Sequence, residues 1–372
     1  MKKYGLCLLT GIMALATCFA VLCLCIHGSM LPEKVTAYYE AKAQTKAEAA
    51  TGAEAELMAL LLGSAPIAAP AEETVPNTPD LSFRGSALSR PLAACTLVLY
   101  LLALLFFARK PEENKGALWA LILSGPLALA GARLVYCLTD ISFYLNDIQS
   151  PQAMLKIWEG GLSQMGCMLF LALAGALGAK IAGEKPLTVL NKLSPFMLVW
   201  AALMPLANTF IQGGYGPEMS LPLLTLTIHQ RERLSTALIT FLVLIVLGGL
   251  LKSRKLPKDK LFLYTAFLYG CLMVPLESLR RDGHMVWGFV HAEMLYAMVI
   301  ALPAGLALVQ KNRRLALLAA SALLAVAVIA LEFALDRSNI KDELLYIVYL
   351  LCIAGYIFAG LKWAKGLQTE TK

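Results

Sequence analysis

Charge is scarce in this sequence. Asp, Glu, Lys and Arg make up 15% of its 372 residues, whereas 59% are hydrophobic. Soluble domains average about 25% charged and about 45–50% apolar residues, so an ordinary soluble domain is excluded. Histidine is also rare: the four, His27, His229, His284 and His291, are scattered and suggest no metal site. The nine cysteines all lie in apolar runs, with no C-x-x-C pair near histidine. They read as small core hydrophobes, with no disulfide framework or zinc site. No cofactor and no nucleic-acid partner are expected.

What is present is a series of uncharged runs, each long enough to cross a bilayer as a helix of about 17–25 residues. Residues 1–26 open with Lys2 and Lys3 and continue as an apolar stretch, Leu6 to Ile26, longer than a signal-peptide core of about 7–15 residues. It is read as a retained helix or signal anchor, with cleavage left open. Residues 27–90 are rich in Ala, Glu, Thr and Pro and form a tether. Spans follow near 92–108, 117–138, 166–182, 189–211, 234–251, 261–279, 287–309, 315–335 and 343–361. With the first helix this gives ten, an all-α polytopic membrane protein.

Lys and Arg set the orientation. One set of alternate loops contains Arg109, Lys110 and Lys115; Lys180, Lys185 and Lys192; Lys252, Arg254, Lys255, Lys258 and Lys260; Lys311, Arg313 and Arg314; and a tail with Lys362, Lys365 and Lys372. These loops are assigned to the cytoplasm. The opposite loops contain Asp140, Asp147, Glu159 and Glu218. They include Ile157 to Gly166, a Gly-rich stretch too short and polar to span. Such a turn is tolerated at membrane depth only against protein or a watery cavity, and Trp158 suits the interface.

A charge at the bilayer centre costs about 3 kcal/mol on insertion scales, so charges that persist face protein or water. Here they gather at the outer ends of spans: Arg133, Glu277, Arg280, Arg281, His291 and Glu293, with the amide Asn208. The i, i+3, i+4 spacing of Glu277, Arg280 and Arg281 places them on one helix face. Interfacial salt bridging for that trio, and snorkelling for Arg133 and Glu332, are the plainer alternatives. Together the group reads as a cationic pocket open to the outer leaflet, and the planar donor fork of Arg suits a phosphate headgroup.

Several ordered pieces carry a family likeness. They are Gly131-Ala132-Arg133-x-x-Tyr136, Ile157-Trp158-x-Gly160-Gly161-Leu162-Ser163-x-x-Gly166, Asn208 with Gly213 and Gly216, Tyr269-Gly270, and Glu277-x-x-Arg280. Over about residues 80–309 the chain resembles the prolipoprotein diacylglyceryl transferases. The resemblance implies a seven-helix core at 91–309, with two additional helices and a tail at 310–372. It implies transfer of a diacylglyceryl group from phosphatidylglycerol to the cysteine thiol of a preprolipoprotein signal peptide. Those substrates and membrane lipids would be the partners, in a bacterial inner or plasma membrane, with the site facing outward. The catalytic candidates are then Glu277, Arg280, His229 and His291. The substrate or lipid-binding candidates are Arg133, Gly160, Gly161, Ser163, Asn208, Gly216 and Arg281. The sequence departs from the family pattern at several positions. Met165 stands where the family has His, and Pro205 and Met273 stand where it has Arg. A non-catalytic relative that binds phospholipid or a membrane partner is therefore the alternative. A secondary transporter is a more distant one, since no internal repeat is evident.

Overall fold

The structure, a computed structural model, describes residues 5–6, 8–12, 89–139, 141, 144–145, 151–155, 162–210, 214–219, 224–228, 231–253, 256–281, 285–287, 289–338 and 340–364. Most of the expected first span, nearly all of the tether and the tail beyond 364 lie outside these residues. Among these residues nine long helices carry the fold: α1 (Ser89–Ala108), α2 (Lys115–Thr139), α3 (Gln164–Ala182), α4 (Pro186–Phe210), α5 (Thr236–Ser253), α6 (Leu261–Ser278), α7 (Ala292–Leu308), α8 (Arg314–Arg337) and α9 (Asp342–Trp363). Seven described helical segments are long and apolar enough to cross a membrane, and α7 is a shorter apolar helix. Helices suit this setting because they satisfy their own backbone hydrogen bonds. Exposed Phe106, Val246, Leu323 and Phe358 give the outer helices an apolar rim, as a lipid solvent requires. The chain is an all-α multi-pass membrane protein.

The spans read from the sequence coincide with α1 to α9 except near α7. That run was expected to begin at 287, but helix starts at Ala292. Residues before it pair as a short hairpin, β4 (Val286–Trp287) with β5 (Val290–His291). Met285, at φ 48°, turns the chain into it. Trp287 Nε1 donates to Thr139 O at 2.7 Å, fastening the hairpin over the end of α2. A second small sheet lies between α4 and α5: β1 (Tyr215–Glu218), β2 (Thr225–Ile228) and β3 (Arg231–Ser235), antiparallel in the order β1-β3-β2.

Helix α6 is the central element, with 72% of its spanning window buried against 22% for that of α8. Its Phe267 packs on Tyr356 of α9 with ring centroids 5.8 Å apart, and Ser194 of α4 donates to Thr265 at 2.9 Å inside the bilayer region. The closest pairing is α2 with α3. A Cβ at Gly178 would lie 2.4 Å from Ala120 N and 2.7 Å from Gly116 O, so only glycine lets these backbones meet. At its end α3 stops at Gly183, φ 73°, whose N–H donates to Ala179 O and Lys180 O. Just beyond, Glu184 Oε1 accepts from Gly116 N at 2.8 Å.

The basic loops gather at this end of the bundle. Lys192 Nζ donates to Glu113 O at 2.6 Å and Asn191 Nδ2 to Asp259 O at 2.6 Å. Gln310 N donates to Trp363 O at 3.2 Å beside a bridge between Val309 and Ala364, which clasps the end of α9 to the turn between α7 and α8. Glu332, expected to snorkel, is instead 2% exposed inside α8. It faces Ser278 of α6 and Tyr349 of α9, because α8 turns that side, with Leu317, Ser321 and Leu324, to the bundle and Leu315, Leu323, Val326 and Phe333 outward.

Candidate active site at the opposite end of the bundle

The site grows from the first turn of α3. A helix begins with N–H groups that have no intrahelical partner and with the positive end of its dipole. Ser163, 1% exposed and extended at φ −84°, ψ 127°, is the N-cap, its Oγ accepting from Gly166 N at 2.9 Å. Two further donors, Gln164 N and Met165 N, reach Glu293 Oε1 at 3.1 Å and Oε2 at 3.2 Å. A carboxylate from α7 thus caps α3. Ser163 N in turn donates to Ala132 O at 3.0 Å. A Cβ at Gly166 would sit 2.6 Å from Gly131 O. The Gly131-Ala132 and Ser163-x-x-Gly166 pieces of sequence are therefore two sides of one backbone contact.

Tyr269 of α6 faces that turn. Gln164 Nε2 donates to Tyr269 OH at 3.4 Å and to Ala201 O of α4 at 3.1 Å, and Tyr269 OH donates to Met165 Sδ at 3.6 Å. Both Glu293 and Glu277 lie within electrostatic reach of the Tyr269 phenol. Glu277, near the end of α6, is 4% exposed, and its Oε2 lies 3.2 Å from Arg280 Nη1. Four helices thus contribute to one polar cluster, which sequence spacing alone did not reveal. By sequence Glu293 counts in the outer polar group and Tyr269 among the family pieces, neither with a role of its own, and Gln164 is not singled out.

The expected common face of Glu277, Arg280 and Arg281 is corrected by the helix end. Helix α6 stops at Ser278 and caps at Leu279. Arg280 folds back to Glu277, while the exposed Arg281 turns away and donates through Nη2 to Tyr346 OH at 3.3 Å. Arg281 N donates to Tyr215 O at 2.8 Å. Beside it, a Cβ at Gly216 would fall 2.9 Å from Leu279 O, so β1 lies directly on the residues that carry Arg280. Arg133 is 5% exposed rather than snorkelling. Its Nε donates to Met154 O at 3.0 Å, and its guanidinium carbon stands 5.9 Å from the Tyr136 ring and 5.6 Å from that of Tyr144. It is held by the segment between α2 and α3. His291, 6% exposed, ends β5 two residues before Glu293. Gly160, Gly161 and His229 lie outside the described residues, as does the side chain of Asn208.

Towards the bilayer interior the polar cluster meets an apolar cavity of about 290 Å³ between α3, α4, α6 and α7. Met168, Leu198, Phe262, Ile300 and Ala304 line it, and so does Tyr269. One tyrosine thus borders both an apolar chamber and a group of buried carboxylates with a guanidinium. Such a boundary suits a molecule with a hydrocarbon part and an anionic head. No group of three or more His, Cys, Asp or Glu side chains able to hold a metal occurs among the described residues.

Comparison with known proteins finds relatives of one kind. The family model described as prolipoprotein diacylglyceryl transferase matches residues 91–310. A phosphatidylglycerol–prolipoprotein diacylglyceryl transferase of Streptococcus pyogenes serotype M5 is 27% identical over 239 residues, covering 60% of this chain and 90% of that protein. Proteins of the same name from Mycobacterium tuberculosis (strain ATCC 25618 / H37Rv) and Paenarthrobacter aurescens are 28% identical over 158 residues and 30% over 105. These cover 40% and 28% of this chain, and the chain spans about a third of the length of those two relatives. No solved structure matches. With more than half of its length matched by one family model, the chain belongs to the prolipoprotein diacylglyceryl transferase family.

Proposed function

We propose that this protein transfers the diacylglyceryl group of phosphatidylglycerol to the thiol of a lipobox cysteine. The reaction would take place in a bacterial cell membrane, at the extracytoplasmic end of a seven-helix core spanning 91–309. One observation carries the reading. Tyr269 lines the apolar cavity and lies within electrostatic reach of Glu277, which is paired with Arg280. Acyl chains would occupy the cavity, and the phosphate would lie at the guanidinium end.

The chemistry follows from that placement. The thiol gives its proton to a base, since the thiolate is the nucleophile. The sulfur lone pair forms a bond to the glycerol carbon that carries the phosphate oxygen. That carbon–oxygen bond breaks, and its electron pair leaves on glycerol phosphate, which takes up a proton from the medium. Arg280 is suited to the charge that develops on the departing phosphate. Glu277 would hold Arg280 in place, and His291 would serve as the base, with His229 the other candidate. Arg133, Ser163, Gly216 and Arg281 shape the surroundings through the contacts described above.

A second reading, a relative that binds phospholipid without turnover, is favoured by one contact. Tyr269 OH donates to the thioether of Met165, a group that neither accepts nor supplies a proton in catalysis. The full-length protein in phosphatidylglycerol vesicles with a lipobox peptide separates the two. Transfer would release glycerol phosphate in step with lipidation of the peptide. Glu277→Gln and Arg280→Ala would each lower kcat/KM about a hundredfold. Binding of both substrates without transfer would leave the second reading, and full activity in both variants would remove this site.

A further inference from the structure

A second buried polar cluster lies where the two additional helices meet the end of α6. Glu332 of α8 is 2% exposed, and Ser278 of α6 and Tyr349 of α9 are both 0% exposed. Glu332 Oε1, Ser278 Oγ and Tyr349 OH are each buried with no hydrogen-bond partner within 3.5 Å among the described residues. The two hydroxyls face the carboxylate, and Arg281 lies within its electrostatic reach. Tyr346 of α9 donates to Ser278 O at 3.1 Å and accepts from Arg281 Nη2 at 3.3 Å. Polar groups from three helices therefore close around Ser278, the residue next to Glu277.

We propose that Glu332 is a positioning residue for the transfer reaction: with Ser278, Tyr349 and Tyr346 it fixes the last turn of α6, and thereby Glu277 and Arg280. The inference rests on the functional reading above. The segment 277–281 is gripped from two sides, by α8–α9 through Ser278 and the Arg281 side chain, and by β1 through Arg281 N and Tyr215 O at 2.8 Å. Arg280 lies between those two fixed points, its own N–H donating to Glu277 O at 3.1 Å. Apolar side chains would anchor a pair of helices equally well. A carboxylate buried at this depth is costly, and such groups persist where they fix a register or serve a function.

The test uses the full chain in phosphatidylglycerol vesicles, with transfer kinetics and hydrogen exchange of the 277–281 amides. Glu332→Ala should lower kcat about tenfold with KM for phosphatidylglycerol within about twofold. Exchange at 277–281 should rise about tenfold, with the rest of the core protected. Glu332→Gln, whose carboxamide keeps the shape of the side chain and a polar group facing the two hydroxyls, should recover kcat to within about threefold of the unmodified protein. Tyr346→Phe should move both readouts in the same direction by less, and it decides the matter if Glu332→Ala does not fold. Unchanged kcat and exchange in these variants would overturn the proposal. So would a loss of protection throughout the core with no rescue by Gln. If the unmodified protein transfers nothing, the transferase reading fails and exchange alone decides: a rise confined to 277–281 upholds the brace, and no rise removes it.

Discussion

Glu293 links two helices that are far apart in sequence, because its two oxygens take the first free donors of α3. Glu293→Ala would leave Gln164 N and Met165 N buried without that acceptor. A loss of about 1–3 kcal/mol is expected, read as a lowered melting temperature in detergent, with Glu293→Gln losing less. Breaking the buried Glu277–Arg280 pair from one side should cost about 3–5 kcal/mol, so the Glu277 and Arg280 variants need a folded control. At this scale the sequence was readable where partners are close in the chain: the i, i+3 spacing of Glu277 and Arg280 is a pair in the structure. Arg281 was misplaced because the helix was assumed to continue, whereas Leu279 caps it. Glu332 was misread because a lone acid near a helix end looks the same whether it reaches for water or for Ser278 and Tyr349 on other helices.

Among elements, the α2–α3 pair has the least tolerance. Gly178→Leu would drive a side chain into the Ala120 backbone, 2.4 Å from where its Cβ must sit. Overpacking of this kind typically costs about 1–3 kcal/mol, and more where backbone rather than side chain must yield. Reduced recovery of folded protein on size exclusion is the expected outcome, whereas Gly249→Leu, with nothing within 4 Å of its Cβ, should behave normally. The helices were legible because spanning demands a long uninterrupted apolar run, and most boundaries are marked by charge or, as after Phe210, by a Gly-rich turn. The strands were not. Thr225–Ile228 and Arg231–Ser235 are short, the two residues between them include no glycine, and β4 and β5 have two residues each. Pairing in such short segments is decided by the helices beneath them.

For the molecule as a whole, under the proposed transfer reaction the cavity would set what kind of lipid can be used. Ala304 lines it and is 5% exposed, so Ala304→Phe would fill part of about 290 Å³. KM for long-chain phosphatidylglycerol should rise about tenfold, while a short-chain analogue keeps its KM. Equal effects on both would mean that acyl chains lie elsewhere. The grouping of the basic loops at one end was legible from Lys and Arg, because charge placement is local to each loop. The meeting of Gln164, Tyr269, Glu277 and Glu293 was not, since it depends on which helix faces point inward.

The clasp between Val309 and Ala364 gives the α8–α9 hairpin a fixed foot, just as Tyr346 and Ser278 hold its head. A hairpin tied at both ends cannot swing aside or slide lengthwise when lipid thickness changes. Strain from a thinner or thicker membrane would instead pass along it as if along a strut, reaching α6 one residue from Glu277. Under the proposed function, the pair of helices outside the family core would then couple turnover to the surrounding bilayer.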